Sequence, residues 1–408
     1  MNMSENVFDV LTQRGFVEAT SDEGGVRALL ADPGATFYCG FDPSASSFHL
    51  GNLLVIMAMT HLQRAGHQAI FLLGGATGLI GDPTGKTKAR QRLTAEIVSA
   101  NARALKAQVE GMGLLQFEGE GAAVMVNNFD WIGELRFLED FMAKIAPSFS
   151  VNEMVRMATF AERLAKEEHL SLFEFCYPAM QAYDFLWLFE NHGCRLQVGG
   201  SDQWGNILQG TNLVRRKLGK AVFALTFPLL TDSEGRKMGK TEEGPVWLDP
   251  EKTSPFDFFQ YLQGVPDEMV PKLLKLYTFL PLETVEKIAK GDPRQAQLQL
   301  AFEVTKIVHG EEAAQEAKKD FDRLAGRAGG ATESVPTFAL PKEGLTLDEL
   351  LTQAKALPSK GEVRRRCTGG GIRIDGEKVA DHKALIDKPC TIRYGKGKFL
   401  QIVLSNVS

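Results

Sequence analysis

Along the first half of the chain, short apolar runs alternate with stretches whose apolar residues recur every three or four positions. Thr36-Phe37-Tyr38-Cys39-Gly40-Phe41 reads as a buried strand, apolar on both faces. The stretch from Leu50 to Arg64 has helical periodicity, and Ala69-Ile70-Phe71-Leu72-Leu73 predicts the next strand. Thr94 to Glu110 is helical and is ended by Gly111 and Gly113, and Ala123-Val124-Met125-Val126 predicts a third strand. Strand, helix and strand at this spacing predict βαβ units around a parallel sheet. A long, mostly helical section from Trp131 to Asn191 interrupts the alternation. A further strand, Arg195-Leu196-Gln197-Val198, then opens into Gly199-Gly200. From Ser254 to about Leu324 the pattern is helical, with no strand signal. Residues 325–344 are small, polar and proline-bearing, the composition of a linker, and 345–408 form a separate small unit.

A chain of 408 residues exceeds one ordinary hydrophobic core, so two to three domains are expected. Hydrophobic residues at 44% and charged residues at 24% describe a soluble globular protein. The net charge of −5 is unevenly spread: residues 345–408 hold 12 Lys or Arg against 7 Asp or Glu, leaving an acidic body with a basic tail. The five cysteines (Cys39, Cys176, Cys194, Cys367, Cys390) are scattered without C-x-x-C spacing, which fits reduced thiols rather than a zinc site or disulfide framework. Met-Asn-Met-Ser-Glu-Asn lacks the features of a signal peptide, and the most apolar stretch, Leu53 to Met59, falls far short of a membrane span. The expectation is a cytoplasmic protein with no membrane partner.

Chemistry enters at Phe41-Asp42-Pro43-Ser44-Ala45-Ser46-Ser47-Phe48-His49-Leu50-Gly51-Asn52, where a strand ends and a helix begins. Ligands of open parallel sheets collect at the carboxyl ends of strands, and a helix N-terminus favours anions. His49 and Asn52, three apart, can face one side of the first turn and donate to phosphate oxygens. Gly51 leaves room for a nucleotide beside the backbone. By itself H-x-G-N is a weak signal, because a histidine at a helix start is commonly a cap or a surface residue. A second segment, Gly235-Arg236-Lys237-Met238-Gly239-Lys240-Thr241, is a glycine-flanked cationic loop that would alone read as a solvated turn. Gly81-Asp82-Pro83-Thr84-Gly85-Lys86-Thr87 looks like a P-loop, but that pattern needs glycine where Ile80 stands. A kinase-type NTPase is thereby set aside.

Together the two segments resemble the paired His-x-Gly-His and Lys-Met-Ser-Lys-Ser motifs of class I aminoacyl-tRNA synthetases, in order and in context. Asn52 stands for the last His and Gly239-Lys240-Thr241 for Ser-Lys-Ser, variants similar to the tyrosyl branch. Four segments resemble that branch: Tyr38 to Pro43, Gly74 to Pro83, Tyr177 to Phe185, and Gly199 to Asn206. With the C-terminal unit, the resemblance covers nearly the whole chain. Independently of it, Tyr177, Gln181 and Asp184 are spaced to share one helical face, and Asp184 precedes a run that reads as buried. An ionised carboxylate there needs a partner, for which a core arginine would serve as well as a ligand. The resemblance implies that Asp184 and Tyr38 hold the phenolic hydroxyl of tyrosine. It implies that Tyr177, Gln181 and Asp82 hold its ammonium group, with Asp42 in the same substrate set. Asp202 and Gln203 would contact the ribose of ATP and the substrate carboxylate. Cys39, Gly40, Gly51 and Gly200 would line the nucleotide site with His49, Asn52 and Lys240, although the Cys39 thiol reads equally well as core.

A carboxylate already ionised at neutral pH needs no general base, so the implied task is positioning and neutralising charge on the phosphates. His49, Ser44 and Asn52 are the candidate donors there. Lys86, Arg90, Lys237, Lys240 and Thr241 are candidates to close over departing pyrophosphate. ATP enters as substrate carrying Mg²⁺, with no permanently bound cofactor and no protein metal cluster expected. In the tail, Pro358 to Arg366 leads through Gly369-Gly370-Gly371 to Arg373-Ile374-Asp375-Gly376, which resembles the S4 RNA-binding domain and makes Arg364, Arg365, Arg366 and Arg373 candidate RNA contacts. Asp375-Gly376 is a two-residue hairpin turn signal.

The implied fold is α/β. A Rossmann-like parallel-sheet catalytic domain spans 1–245, with a helical insertion at about 130–190. An α-helical anticodon-side domain (246–328), a linker (329–344) and a small α+β S4-like RNA-binding domain (345–408) follow. Implied partners are ATP, tyrosine, tRNA(Tyr) and a second copy of the chain joined through the insertion. Three rivals stand beside this reading: a tryptophanyl-tRNA synthetase, a nucleotidyltransferase without a tRNA step, and a non-catalytic RNA-binding relative. The last predicts damaged motifs, whereas His49, Asp82, Asp184, Lys237 and Lys240 are all present.

Overall fold

Phe37, Tyr38 and Cys39 are buried in succession on one strand and Ala69 to Leu73 on another, the signature of strands covered on both faces. The computed structural model describes residues 6–84, 93–231, 238–241, 244–324, 336–341, 343–395 and 399–404. The chain packs as two units, Met1–Asp249 with Lys275–Phe279, and Pro250–Leu274 with Leu280–Ser408. Lys275–Phe279, which the helical pattern assigns to the second domain, therefore packs with the first.

In the first unit, β1 (Ala19–Thr20), β2 (Thr36–Phe41), β3 (Gln68–Leu73), β4 (Val124–Asn127), β5 (Leu196–Gly200) and β6 (Phe223–Phe227) form one sheet in the order β1-β6-β5-β2-β3-β4. All neighbours are parallel except β1, which runs antiparallel to β6. From β2 the chain proceeds outward through β3 and β4, then returns to add β5 and β6 on the other side. The strand order thus reverses between β2 and β5, which opens a crevice at their carboxyl ends. Helices Leu50–Arg64, Ala95–Gly111 and Trp204–Leu218 make the crossovers. Between β4 and β5 lie short helical pieces, a π-helix at Phe137–Ile145 and the long helix Tyr177–His192.

The start of the Leu50–Arg64 helix is fixed from three sides. His49 is its N-cap in a capping box with Asn52. The buried Tyr277 hydroxyl donates to the Leu50 carbonyl at 2.8 Å. The antiparallel pair β7 (Lys240–Thr241) and β8 (Gly244–Pro245) leads into Val246, whose carbonyl accepts from Leu50 N at 2.9 Å. Arg14 anchors the 275–279 segment through the carbonyls of Lys275 (3.1 Å) and Thr278 (3.0 Å).

The second unit holds helices Pro255–Gln263, Pro293–His309 and Glu311–Leu324, then the tail. Tail strands are β9 (Thr337–Leu340), β10 (Leu345–Thr346), β11 (Arg373–Ile374), β12 (Glu377–Lys378), β13 (Leu385–Ile386), β14 (Cys390–Arg393) and β15 (Phe399–Leu404). Five of them form a sheet in the order β12-β11-β14-β15-β9, packed over a core that includes Leu347, Leu350, Leu351 and Ile392. Asp375 (φ 48°) and Gly376 (φ 90°) make the left-handed two-residue turn between β11 and β12. β9 corrects the linker expected over 329–344: four of those residues pair in parallel with β15, a non-local partner that composition cannot reveal. Among the described residues no helix is long and apolar enough to cross a membrane.

Candidate active site

At the reversal between β2 and β5 lies a cleft of about 400 Å³. Beneath it a narrow recess of about 30 Å³ continues inward to Tyr38, Thr77 and Asp184. Asp184, 2% exposed, is placed by the Tyr177–His192 helix at the closed end. Among the described residues no arginine pairs with it; its oxygens accept from Asn128 Nδ2 at 3.0 Å and Trp131 Nε1 at 2.8 Å. Burial pushes its carboxyl up to about 7, with those two hydrogen bonds pulling down and the nearby Asp42 charge adding to the rise. Tyr38, on β2, is 1% exposed and its hydroxyl has no partner among the described residues. Burial, with Asp184 next, holds its phenol well above the ordinary range.

The wall between recess and cleft is polar. Asp42 accepts from Thr77 Oγ1 at 2.7 Å and from Tyr177 Oη at 2.8 Å. A Cβ on Gly74 would run into both Asp42 Oδ1 and Thr77 Oγ1, so only glycine lets β3 end there. Gln203 Nε2 donates to Asp82 Oδ2 at 2.5 Å, and Gln181 Nε2 reaches Gln203 Oε1 at 3.4 Å. Gln181 Oε1 and Gln197 Oε1 are buried and unpartnered among the described residues. Carboxylates and amide oxygens thus predominate, a setting for a cationic group with a hydroxyl at its far end.

The outer cleft is lined by Ser44, His49, Gly51 and Asn52 from the β2–helix turn, by Gly200, Asp202 and Gln203 after β5, and by Cys39 and Gly40 of β2. His49 Nδ1 accepts from Gly51 N at 3.1 Å, which leaves the proton of a neutral ring on Nε2. Asn52 Oδ1 accepts from His49 N at 3.1 Å. The expected pair therefore sits together, but His49 is the cap and Asn52 the first-turn residue, instead of both projecting from the turn. Cys39 is 3% exposed, and burial raises its thiol, so it borders the cleft as a protonated wall residue.

Met238 and Gly239 of the cationic segment line the same cleft, and Gly239 O accepts from Val246 N at 2.8 Å. Lys86, Arg90 and Lys237 lie outside the described residues, as do the side chains of Lys240 and Thr241, whose backbone forms β7. The RNA candidates lie in the second unit: Arg364, Arg365 and Arg366 on the helix Lys360–Thr368, and Arg373 on β11. Sequence reasoning missed Gln197, Thr77, Asn128 and Trp131. Gln197 lies among buried neighbours on β5 and could have been found by its polarity inside a buried strand; the others carry no local signal.

Comparison with known proteins assigns the family. The model of tRNA synthetases class I (W and Y) matches residues 32–325, and that of the tyrosine--tRNA ligase SYY-like C-terminal domain matches 328–401. A tyrosine--tRNA ligase of Clostridium botulinum (strain 657 / Type Ba4) is 44% identical over 98% of this chain and 99% of its own. One from Clostridium kluyveri (strain ATCC 8527) is likewise 44% identical over 98% of this chain. The crystal structure of a C-terminally truncated Aspergillus nidulans mitochondrial tyrosyl-tRNA synthetase superposes with a TM-score of 0.71 at 30% identity, covering 78% of this chain and 94% of that one. The first model spans the tryptophan and tyrosine branches alike; the full-length relatives and the C-terminal match separate them. The chain belongs to the tyrosine--tRNA ligase family of class I tRNA synthetases.

Proposed function

We propose that this cleft activates tyrosine with ATP, giving tyrosyl-adenylate and pyrophosphate, and then transfers the tyrosyl group to the 3′ end of tRNA(Tyr). The observation that carries the reading is the closed end of the recess, where a Tyr38 hydroxyl with no partner among the described residues is buried beside Asp184. A buried unsatisfied hydroxyl costs on the order of 1–3 kcal/mol, which a phenolic substrate repays by bonding to both groups. Tyr177, Gln181 and Asp82 then receive the ammonium group, with Asp42 holding Tyr177 in place. Gln203 and Asp202 face the substrate carboxylate and the ATP ribose, and ATP lies along Cys39, Gly40, Gly51 and Gly200.

The carboxylate attacks the α-phosphorus, a P–O bond to pyrophosphate breaks, and no proton is removed from the nucleophile. Ser44, Asn52 and His49 Nε2–H stabilise the charge that accumulates on the phosphates. Lys86, Arg90, Lys237, Lys240 and Thr241 close over the departing pyrophosphate. Mg²⁺ arrives as part of the nucleotide substrate. A ribose hydroxyl of the tRNA then displaces AMP from the adenylate. Arg364, Arg365, Arg366 and Arg373 hold tRNA through the tail. The inserted section exposes Phe137 (66%), Leu138 (71%) and Leu172 (76%), an apolar surface that a second copy covers in a homodimer. All five cysteines are free thiols, as a cytoplasmic setting requires.

ATP–pyrophosphate exchange measured with each of the twenty amino acids tests the assignment. Exchange should be driven by tyrosine alone at low concentration; preference for tryptophan, or none with tyrosine, overturns it.

A further inference from the structure

Trp131 presents its indole N–H to Asp184 from the four-residue helix Phe129–Ile132. One turn of helix cannot hold itself by backbone hydrogen bonds, so the aim of that N–H depends on what packs against the ring. The N–H lies in the indole plane, so whatever fixes the plane fixes the donor. Trp187 does this. Its ring lies nearly parallel to that of Trp131, with centroids 4.1 Å apart and an interplanar angle of 9°. Trp187 follows Asp184 by three residues on the helix Tyr177–His192, so clamp and acceptor ride on one rigid element. His192, at the end of that helix, packs on Trp187 with ring centroids 5.6 Å apart.

We propose that Trp187 is a positioning residue for amino-acid selection: its stack keeps the Trp131 N–H on Asp184 Oδ1, which holds the carboxyl turned toward the substrate hydroxyl. Asn128 donates to Oδ2 from the residue preceding the same short helix, so a shift of that helix would disturb both donors together. The inference rests on the recess being the tyrosine site. A plain packing role for Trp187, which also lies against the core around Phe185 and Leu188, predicts a different result.

The full-length chain is compared with Trp187→Met, which fills volume without a ring, and Trp187→Phe, which keeps one. Pyrophosphate exchange is measured with tyrosine and with phenylalanine, beside thermal melting. For Trp187→Met, kcat/KM for tyrosine should fall about five- to tenfold, the scale of one misdirected hydrogen bond, while phenylalanine changes less than twofold. Trp187→Phe should recover most of the tyrosine preference. Equal losses for both amino acids, an unchanged ratio at any melting temperature, or Trp187→Phe behaving as Trp187→Met would overturn the proposal. Lack of tyrosine-dependent exchange in the unmodified chain would instead overturn the assignment of the recess.

Discussion

Tyr38 and Asp184 meet the recess with complementary deficits, a hydroxyl without a partner among the described residues and a carboxyl disfavoured as an anion. Tyrosyl-tRNA synthetase is itself a standard illustration of rejecting phenylalanine by roughly 10⁵ through unpaired polar groups, without editing. Tyr38→Phe should therefore weaken tyrosine use while leaving phenylalanine use almost unchanged, read as the ratio of kcat/KM values; equal losses would mean Tyr38 does not read the hydroxyl. A second expectation follows from Asp184, whose carboxyl sits at about 7 through burial first, with Asp42 adding and Asn128 and Trp131 opposing. Below that pH it is protonated; above it, the anion is the better acceptor for a phenol. kcat/KM for tyrosine should rise through a single ionisation near pH 7, and the phenylalanine profile should lack that step. The linked effect on stability has the opposite sign. The folded state binds this proton more tightly than the unfolded chain, so the stabilisation is full below the ordinary carboxylate range and is lost as pH rises through about 7. Tyr177, Gln181 and Asp184 were legible in sequence because helical spacing is local. Asn128 and Trp131 were not, because they reach Asp184 across more than fifty residues of chain.

At the scale of elements, the crossover helices and buried strands follow directly from apolar periodicity, while the elements missed are those held by distant partners. β1 has two residues and exists only as the antiparallel edge of β6, and β9 is extended because β15 runs beside it. The cationic segment shows the same division. Its charge is plain in the sequence, but its place is set by Met238 N donating to Leu230 O at 2.8 Å and by the β7–β8 pair beside the Leu50 turn. That tether brings Met238 and Gly239 to the lining of the cleft, where the proposed reaction has pyrophosphate depart. Lys237→Ala and Lys240→Ala should each slow adenylate formation by about 10²–10³ in single-turnover kinetics, the usual effect of removing one donor to transition-state charge. Equilibrium tyrosine affinity should scarcely change. Normal activation with weakened tyrosine binding would contradict the placement.

Over the whole molecule, chemistry and charge are segregated. Every described residue of the cleft belongs to the unit built from Met1–Asp249 and Lys275–Phe279, whereas the tail holds 12 basic against 7 acidic side chains. A chain ending near Gly329 should therefore keep tyrosine-dependent pyrophosphate exchange. It should also melt lower, because the Phe321 ring, 3% exposed, loses the edge contact of Phe399 at 6.3 Å. tRNA charging should fall sharply and become less sensitive to salt, since each phosphate contact removed lowers the salt slope by roughly one unit. Reversal of Arg364, Arg365 and Arg366 to Glu tests the same point without truncation. Arg366 already pairs with Glu362 at 2.7 Å and Arg365 with the same carboxylate, so part of that run is neutralised within its own helix. Among the described residues the sheet carries charge that is not offset in this way: Arg373 on β11 stands directly opposite Lys378 on one side and Arg393 on the other. Like charges in register destabilise a sheet, and an RNA phosphate relieves them. Arg373→Glu should accordingly reduce the salt slope of charging at least as much as Arg365→Glu, with exchange unaffected in both. A truncated chain that charges tRNA as well as the full one would remove the tail from the reaction altogether.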